Sequence, residues 1–174
     1  MNSACPLSGQ QLRSRIRWVL GIFMAGLVFS GATAIPLATE LDWLTTWFGS
    51  SGSPLANWLG AIRDALQTTN TRYPFMAYGT DWLAFAHFVI AVGFIGAWRD
   101  PVRNRWLFDF GLIACALVIP YAMMLGGVRG IPIFWRLIDC SFGLGGAVPL
   151  WFCRRWALEF ERRGVEARKP SGVR

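Results

Sequence analysis

One histidine occurs in the chain, His87, and it stands in the middle of an apolar run, 78–98. An imidazole there could serve as a general acid or base with a carboxylate to orient it, or as a metal or haem ligand. Four more ionisable residues fall in or at the edge of apolar runs: Asp81, Asp109, Arg136 and Asp139. A charge at the centre of a membrane helix costs about 2.5–3.5 kcal/mol on insertion scales, so each of these side chains needs a partner or a purpose.

Helical spacing decides which of them could act together. At about 100° per residue, Thr80 and His87 share a face, while Asp81 points about 120° away from His87. The two are not a pair on one helix, and a partner for either must come from another element. Asp81, with Thr80, equally fits a helix-start role as a cap or first-turn acid. Asp109 fits the same role, and Arg105 four residues earlier is placed to pair with it. Arg136 and Asp139 are three apart, so they can bridge each other and snorkel to an interface, with Cys140 beside them. For His87 the ordinary alternative is a neutral imidazole bonded to a Ser, a Tyr or a carbonyl of a neighbouring helix.

Several chemistries lack their residues. One histidine cannot give two-histidine haem ligation within one chain; Met123, Met124 or a second protomer would have to supply the other ligand. No HExxH, histidine box or G-x-S-x-G is present. The cysteines, Cys5, Cys115, Cys140 and Cys153, form no CxxC, so neither a redox pair nor a zinc knuckle is indicated. No cofactor or metal is expected.

The elements that must position these residues are membrane spans. The 174 residues are 54% hydrophobic and only 16% charged, where a soluble domain carries nearer a quarter. The 21 residues of 78–98 make a helix of about 31 Å, close to the hydrocarbon thickness of a bilayer, with Trp82 and Trp98 near its ends. Similar runs lie at 18–37, 106–125 and 134–152. Pro120 and Pro149 should kink the third and fourth, and Gly143, Gly146 and Ala147 give the fourth a small-residue face for close helix approach. The basic start, apolar core and Ala32-Thr33-Ala34 of the first run also fit a signal peptide, but a length near twenty favours a retained helix.

The connection 38–77 is too long to be structureless. Ser53-Pro54 reads as a cap with proline at the first helical position, and Leu55, Trp58, Leu59, Ile62 and Leu66 follow with helical period for about three turns. Leu41, Leu44 and Phe48 form a weaker repeat before it; Gly49–Gly52 separates the two, and 68–71 reads as a loop. Both helices are expected on the membrane surface or capping the bundle.

The fold class expected is therefore an all-α integral membrane protein, a four-transmembrane-helix bundle with amphipathic helices in its long first extracytoplasmic connection. Residues 1–17 form a polar cytoplasmic segment, 18–153 the membrane domain and 154–174 a basic cytoplasmic tail. Lys and Arg number three in 1–17, three in 99–105 and seven in 154–174, against four elsewhere. The positive-inside rule then places both termini in the cytoplasm, with a bacterial cytoplasmic membrane as the expected location. The same arrangement accounts for the net charge of +7 without nucleic acid.

That topology brings Asp81, Arg129, Arg136 and Asp139 to the outer half of the bilayer, level with Glu40, Arg72, Tyr73, Tyr78 and Tyr121 and with His87 as a floor. They are expected to line an outward-facing polar pocket. The function expected is a small binding or accessory protein, its partner a lipid, a quinone or a membrane protein, with ligand contacts from Asp81, His87, Arg136 and Asp139. The alternative is a membrane enzyme with His87, Asp81 and Asp139 as the candidate catalytic groups. A haem or metal protein comes third.

Overall fold

The computed structural model of the protein describes residues 8–166. They form helices α1 Gly9–Ala34, α2 Leu37–Phe48, α3 Pro54–Arg72, α4 Tyr78–Arg99, α5 Trp106–Val128 and α6 Ile133–Glu166, with 3-10 turns at Gly49–Ser51 and Pro74–Ala77. No strand occurs among the described residues. Four stretches, Gly9–Ala34, Pro74–Arg99, Trp106–Val128 and Ile133–Arg163, are long and apolar enough to cross a bilayer, which marks a multi-pass membrane protein. Two compact units are present: residues 8–24 with 93–166, and 25–92. The helices α1 and α4 each contribute one end to each unit.

In the first unit α1 begins nine residues ahead of the apolar run, where a polar segment was expected. The cause is local. Ser8 Oγ accepts from the Gln11 N–H at 3.2 Å and Gln11 Oε1 accepts from the Ser8 N–H at 2.8 Å, a reciprocal cap that starts a helix. Leu12, Ile16 and Leu20, four apart on one face, are then fully buried. Phe23 meets Phe94 edge-on, with centroids 5.1 Å apart.

The α4–α5 turn is tied by side-chain amides and carboxylates. Asn104 Nδ2 donates to the Gly96 carbonyl at 3.0 Å and the Asp100 carbonyl at 3.1 Å, and Asp100 Oδ1 accepts from the Arg103 N–H at 3.0 Å. These bonds satisfy carbonyls that a helix end leaves open.

Helices α5 and α6 meet through glycines. A Cβ on Gly143 would lie 2.7 Å from the Cys115 carbonyl oxygen, and one on Gly146 would lie 2.9 Å from Cys115 Sγ. Gly111 answers from α5, where a Cβ would lie 2.6 Å from Leu150 Cδ1. The small-residue face expected on the fourth span is thus the one α5 packs on. Leu150, Cys153 and Ala157 continue it, all buried. Pro120 and Pro149 both lie inside unbroken helices.

The turn between α5 and α6 is set by Gly130 at φ 70°: Ile131 N–H donates to the Gly126 carbonyl at 2.8 Å and Gly130 N–H to the Gly127 carbonyl at 3.2 Å. This left-handed helix ending is one that glycine adopts without strain. Helix α6 runs on to Glu166, well past the end of the expected span at 152, so the first part of the basic tail is helical. The Pro-Ser-Gly end and Cys5 lie outside the described residues.

In the second unit α1 and α4 touch at Gly31, where a Cβ would come within 2.9 Å of the Ala84 carbonyl and 3.0 Å of His87 Cβ. The connection forms the two helices expected, α2 and α3. Ser53 Oγ accepts from the Ala56 N–H at 3.2 Å as the cap, with Pro54 first in α3. Leu41, Ala56 and Leu59 are buried, and Arg63 Nε donates to Asp42 Oδ1 at 2.5 Å.

Two details differ from expectation. Helix α3 runs to Arg72, because Thr71 bonds back to the Gln67 carbonyl and the polar 68–71 stretch stays helical. On α2 only Leu41 turns inward. Leu44 and Phe48 stay exposed with Trp43 and Trp47, since the α2–α3 contact takes a narrower face than the apolar pattern spans.

The glycine contacts set a stability test. Gly143→Ala is expected to lower unfolding stability in detergent by about 1–3 kcal/mol, because the obstructing atom is backbone and cannot swing aside. Gly145→Ala, with nothing within 4 Å of its added methyl, should stay within about 0.5 kcal/mol of the parent. Equal losses from both would show that the α5–α6 approach is not limited at Gly143.

Candidate functional site

His87 is half-buried on α4, and its Nδ1 lies 2.8 Å from the Leu83 carbonyl one turn back. The imidazole is held by its own helix, not by a neighbouring one as expected, because a side chain at position i reaches back over the turn preceding it. With Nδ1–H donating there, Nε2 is the ring's free acceptor. The Cβ packs at the Gly31 contact, so the ring base is fixed.

Asp81 stands in the first turn of α4, exposed, and makes no hydrogen bond or ion pair with the described residues. Its place suits the positive end of the helix dipole. Thr80 does not cap; its hydroxyl donates to the Ala77 carbonyl at 2.7 Å. Asp81 and His87 share the 25–92 unit, and no bond joins them.

Arg136 and Asp139 belong to the other unit. The bridge expected between them is absent. Arg136 Nε donates instead to the Ile131 carbonyl at 2.7 Å, and its stem lies on Gly126 and Gly127, where a Cβ on Gly126 would meet it at 2.8 Å. An arginine one turn into α6 reaches the open end of the α5–α6 turn more directly than it reaches Asp139, and the glycines leave room for its methylenes. Asp139, half-buried, has no hydrogen bond or ion pair with the described residues. Cys140 beside it is buried, its Sγ 4.0 Å from the Ile119 carbonyl.

Asp109 does not pair with Arg105. Arg154 of α6 takes Asp109, and Arg105 reaches Glu161 of α6 at 2.6 Å. Glu159 and Arg163, four apart, pair along α6. Both changes follow from α6 continuing past its apolar stretch: its charged turns lie beside the start of α5 and offer interhelical partners. Spacing alone does not give the bonds of Arg154 and Glu161, but the mixed charges Arg154, Arg155, Glu159, Glu161, Arg162 and Arg163 are a legible signal of a helix with partners.

Among the described residues no three His, Cys, Asp or Glu side chains come together as a metal-binding group. Cys115, Cys140 and Cys153 are free thiols packed in the α5–α6 layer. Two surface features remain. On α2, Trp43, Leu44, Trp47 and Phe48 form an uncovered apolar shelf, with Trp47 82% exposed. On α1, Gln11, Ser14, Arg15, Trp18 and Val19 line a shallow groove. The spacing of that stripe is helical, but it is invisible to a reading that starts the helix at residue 18.

Arg136 and Asp139 should therefore separate on substitution. Arg136→Gln is expected to cost about 0.5–1.5 kcal/mol of unfolding stability through the lost bond to the turn, while Asp139→Asn, which removes no bond, does not lower it. A larger loss from Asp139→Asn, measured by thermal unfolding in the same detergent, would mean that its carboxylate is paired. No protein-family model, curated protein or solved structure matches the chain.

Proposed function

We propose that the protein is a small binding or accessory protein of a membrane, its partner a lipid, a quinone or another membrane protein. The observation that carries this reading is the α2–α3 module. Its polar side is closed on itself by Asp42, Arg63 and Gln67, while Trp43, Leu44, Trp47 and Phe48 stand uncovered. Tryptophan is favoured where one side of a surface is apolar and the other wet, at membrane interfaces and at partner contacts alike. Side chains with free polar atoms for a ligand include Asp81, His87 at Nε2 and Asp139, with Arg136 through the guanidinium N–H groups that Ile131 does not use.

The distribution of arginine supports cytoplasmic termini and an α2–α3 module on the outer face of a bacterial cytoplasmic membrane. The buried positions of Leu12, Ile16 and Leu20 support a first helix that stays in the mature protein. A second reading, a membrane enzyme, is favoured by one feature. The Leu83 carbonyl fixes the His87 tautomer and leaves Nε2 as a positioned proton acceptor.

One set of variants in living cells distinguishes the two. Under the binding reading, Trp43→Ala with Trp47→Ala should impair function, and His87→Gln, which keeps a polar group for a ligand but no imidazole base, should retain most of it at the parent membrane abundance. Complete loss of function on His87→Gln at unchanged abundance would overturn that reading in favour of catalysis. A reporter fused to the carboxyl end should be active only in its cytoplasmic form; protease access to it from outside intact cells would refute the orientation.

A further inference from the structure

Three arginines precede the apolar part of α1, and the structure gives them different surroundings. Arg13 donates to the Arg99 carbonyl at 3.2 Å. Arg17 lies 3.9 Å above the Trp98 ring, whose Nε1 donates to the Arg17 carbonyl at 3.1 Å. Both are folded onto the end of α4. Arg15 points elsewhere: it is exposed and makes no hydrogen bond or ion pair with the described residues. It lies in the groove with Gln11, Ser14, Trp18 and Val19, on a stripe at i, i+3, i+4, i+7 and i+8 distinct from the buried Leu12, Ile16 and Leu20.

The groove is graded along the helix. Gln11 spends its Oε1 on the Ser8 N–H, which leaves its amide N–H groups to donate. One turn on come the Ser14 hydroxyl and the Arg15 guanidinium. Another turn on, Trp18, 74% exposed, opens the apolar stretch. The positive charge thus stands about 4–5 Å, and the donors about 6–10 Å, above the first residue of the apolar run, with an amphipathic ring at its level. That order of chemistry, N–H and O–H donors, then a cation, then an indole, then aliphatic surface, matches a lipid with an anionic phosphodiester head and acyl tails.

We infer that Gln11, Ser14, Arg15 and Trp18 form a binding site for the head of an anionic phospholipid. Arg15 pairs with the phosphate, Gln11 and Ser14 donate to its remaining oxygens, and Trp18 covers the glycerol and upper acyl region. Arg13 and Arg17 shape the adjoining surface from their fixed positions. The inference rests on the insertion of α1 in a bilayer; it does not depend on the side the termini occupy or on the partner of the α2–α3 module.

The test is native mass spectrometry of the full chain, purified and exchanged into equal amounts of phosphatidylglycerol and phosphatidylcholine. The parent protein should retain phosphatidylglycerol preferentially. Arg15→Gln should cut that preference about fivefold, the change expected from one arginine at a membrane surface. Arg15→Lys should keep most of it, and Arg103→Gln, an equal charge change in the exposed α4–α5 turn, should leave it unchanged. Retained helical content by circular dichroism checks that Arg15→Gln is folded. Equal retention of the two lipids by the parent protein, or an unchanged preference in Arg15→Gln, overturns the site. Displacement of the lipid by millimolar inorganic phosphate overturns its assignment to a lipid in favour of a free anion. A chain that stays soluble without detergent would instead remove the membrane insertion itself.

Discussion

The structure depends on how closely two helix backbones can approach in a medium that gives them no hydrophobic reason to associate. Lipid tails are as apolar as leucine, so helices in a bilayer are held by van der Waals contact, and contact requires the absence of side chains. Gly143 lets α6 come up against the Cys115 carbonyl, Gly146 makes room for the Cys115 thiol, and Gly111 receives Leu150. Larger residues at these three places would hold α5 and α6 apart. The buried row Leu150, Cys153 and Ala157 could then not form, nor could the charged turns of α6 reach the start of α5.

The polar groups follow from that contact. Because α6 extends beyond its apolar stretch, Arg154 and Glu161 arrive where Asp109 and Arg105 need partners. These pairs are about 40% exposed, so their value is register and orientation more than net stability. Arg136 is used in a comparable way, on the carbonyl of the turn that reverses the chain. Asp109 and Arg136, two of the ionisable residues of the spans, are thus occupied in holding helices and turns. His87 at Nε2, Asp81 and Asp139 keep side-chain polar atoms that bond to none of the described residues.

The surface divides by the same logic. In the α2–α3 module, Asp42, Arg63 and Gln67 bond to one another while Trp43, Leu44, Trp47 and Phe48 stay uncovered, an amphipathic arrangement. In the other unit, two arginines of α1 are folded onto α4 and the third is left beside a tryptophan. Both features lie on or next to helices of spanning length.

Much of the architecture was legible from residue order alone. A bilayer demands that every backbone polar group be satisfied within its own segment. Twenty apolar residues therefore announce a helix, and the flanking tryptophans and arginines announce the limits of the apolar run. The Ser53-Pro54 start of α3 and the glycine face of α6 were legible for the same reason, being local rules of spacing. The ends of α1 and α6 were not, because apolar content marks where lipid lies and says nothing of where a helix stops. Ser8 with Gln11 and the charged turns after Arg154 carry both helices past the lipid limit. Nor could spacing decide the partners of Asp109, Arg136 and His87. A side chain on a helix has several neighbours within reach, along its own helix and across to the next. Only the packed backbone fixes which donor and acceptor come within 3 Å of each other.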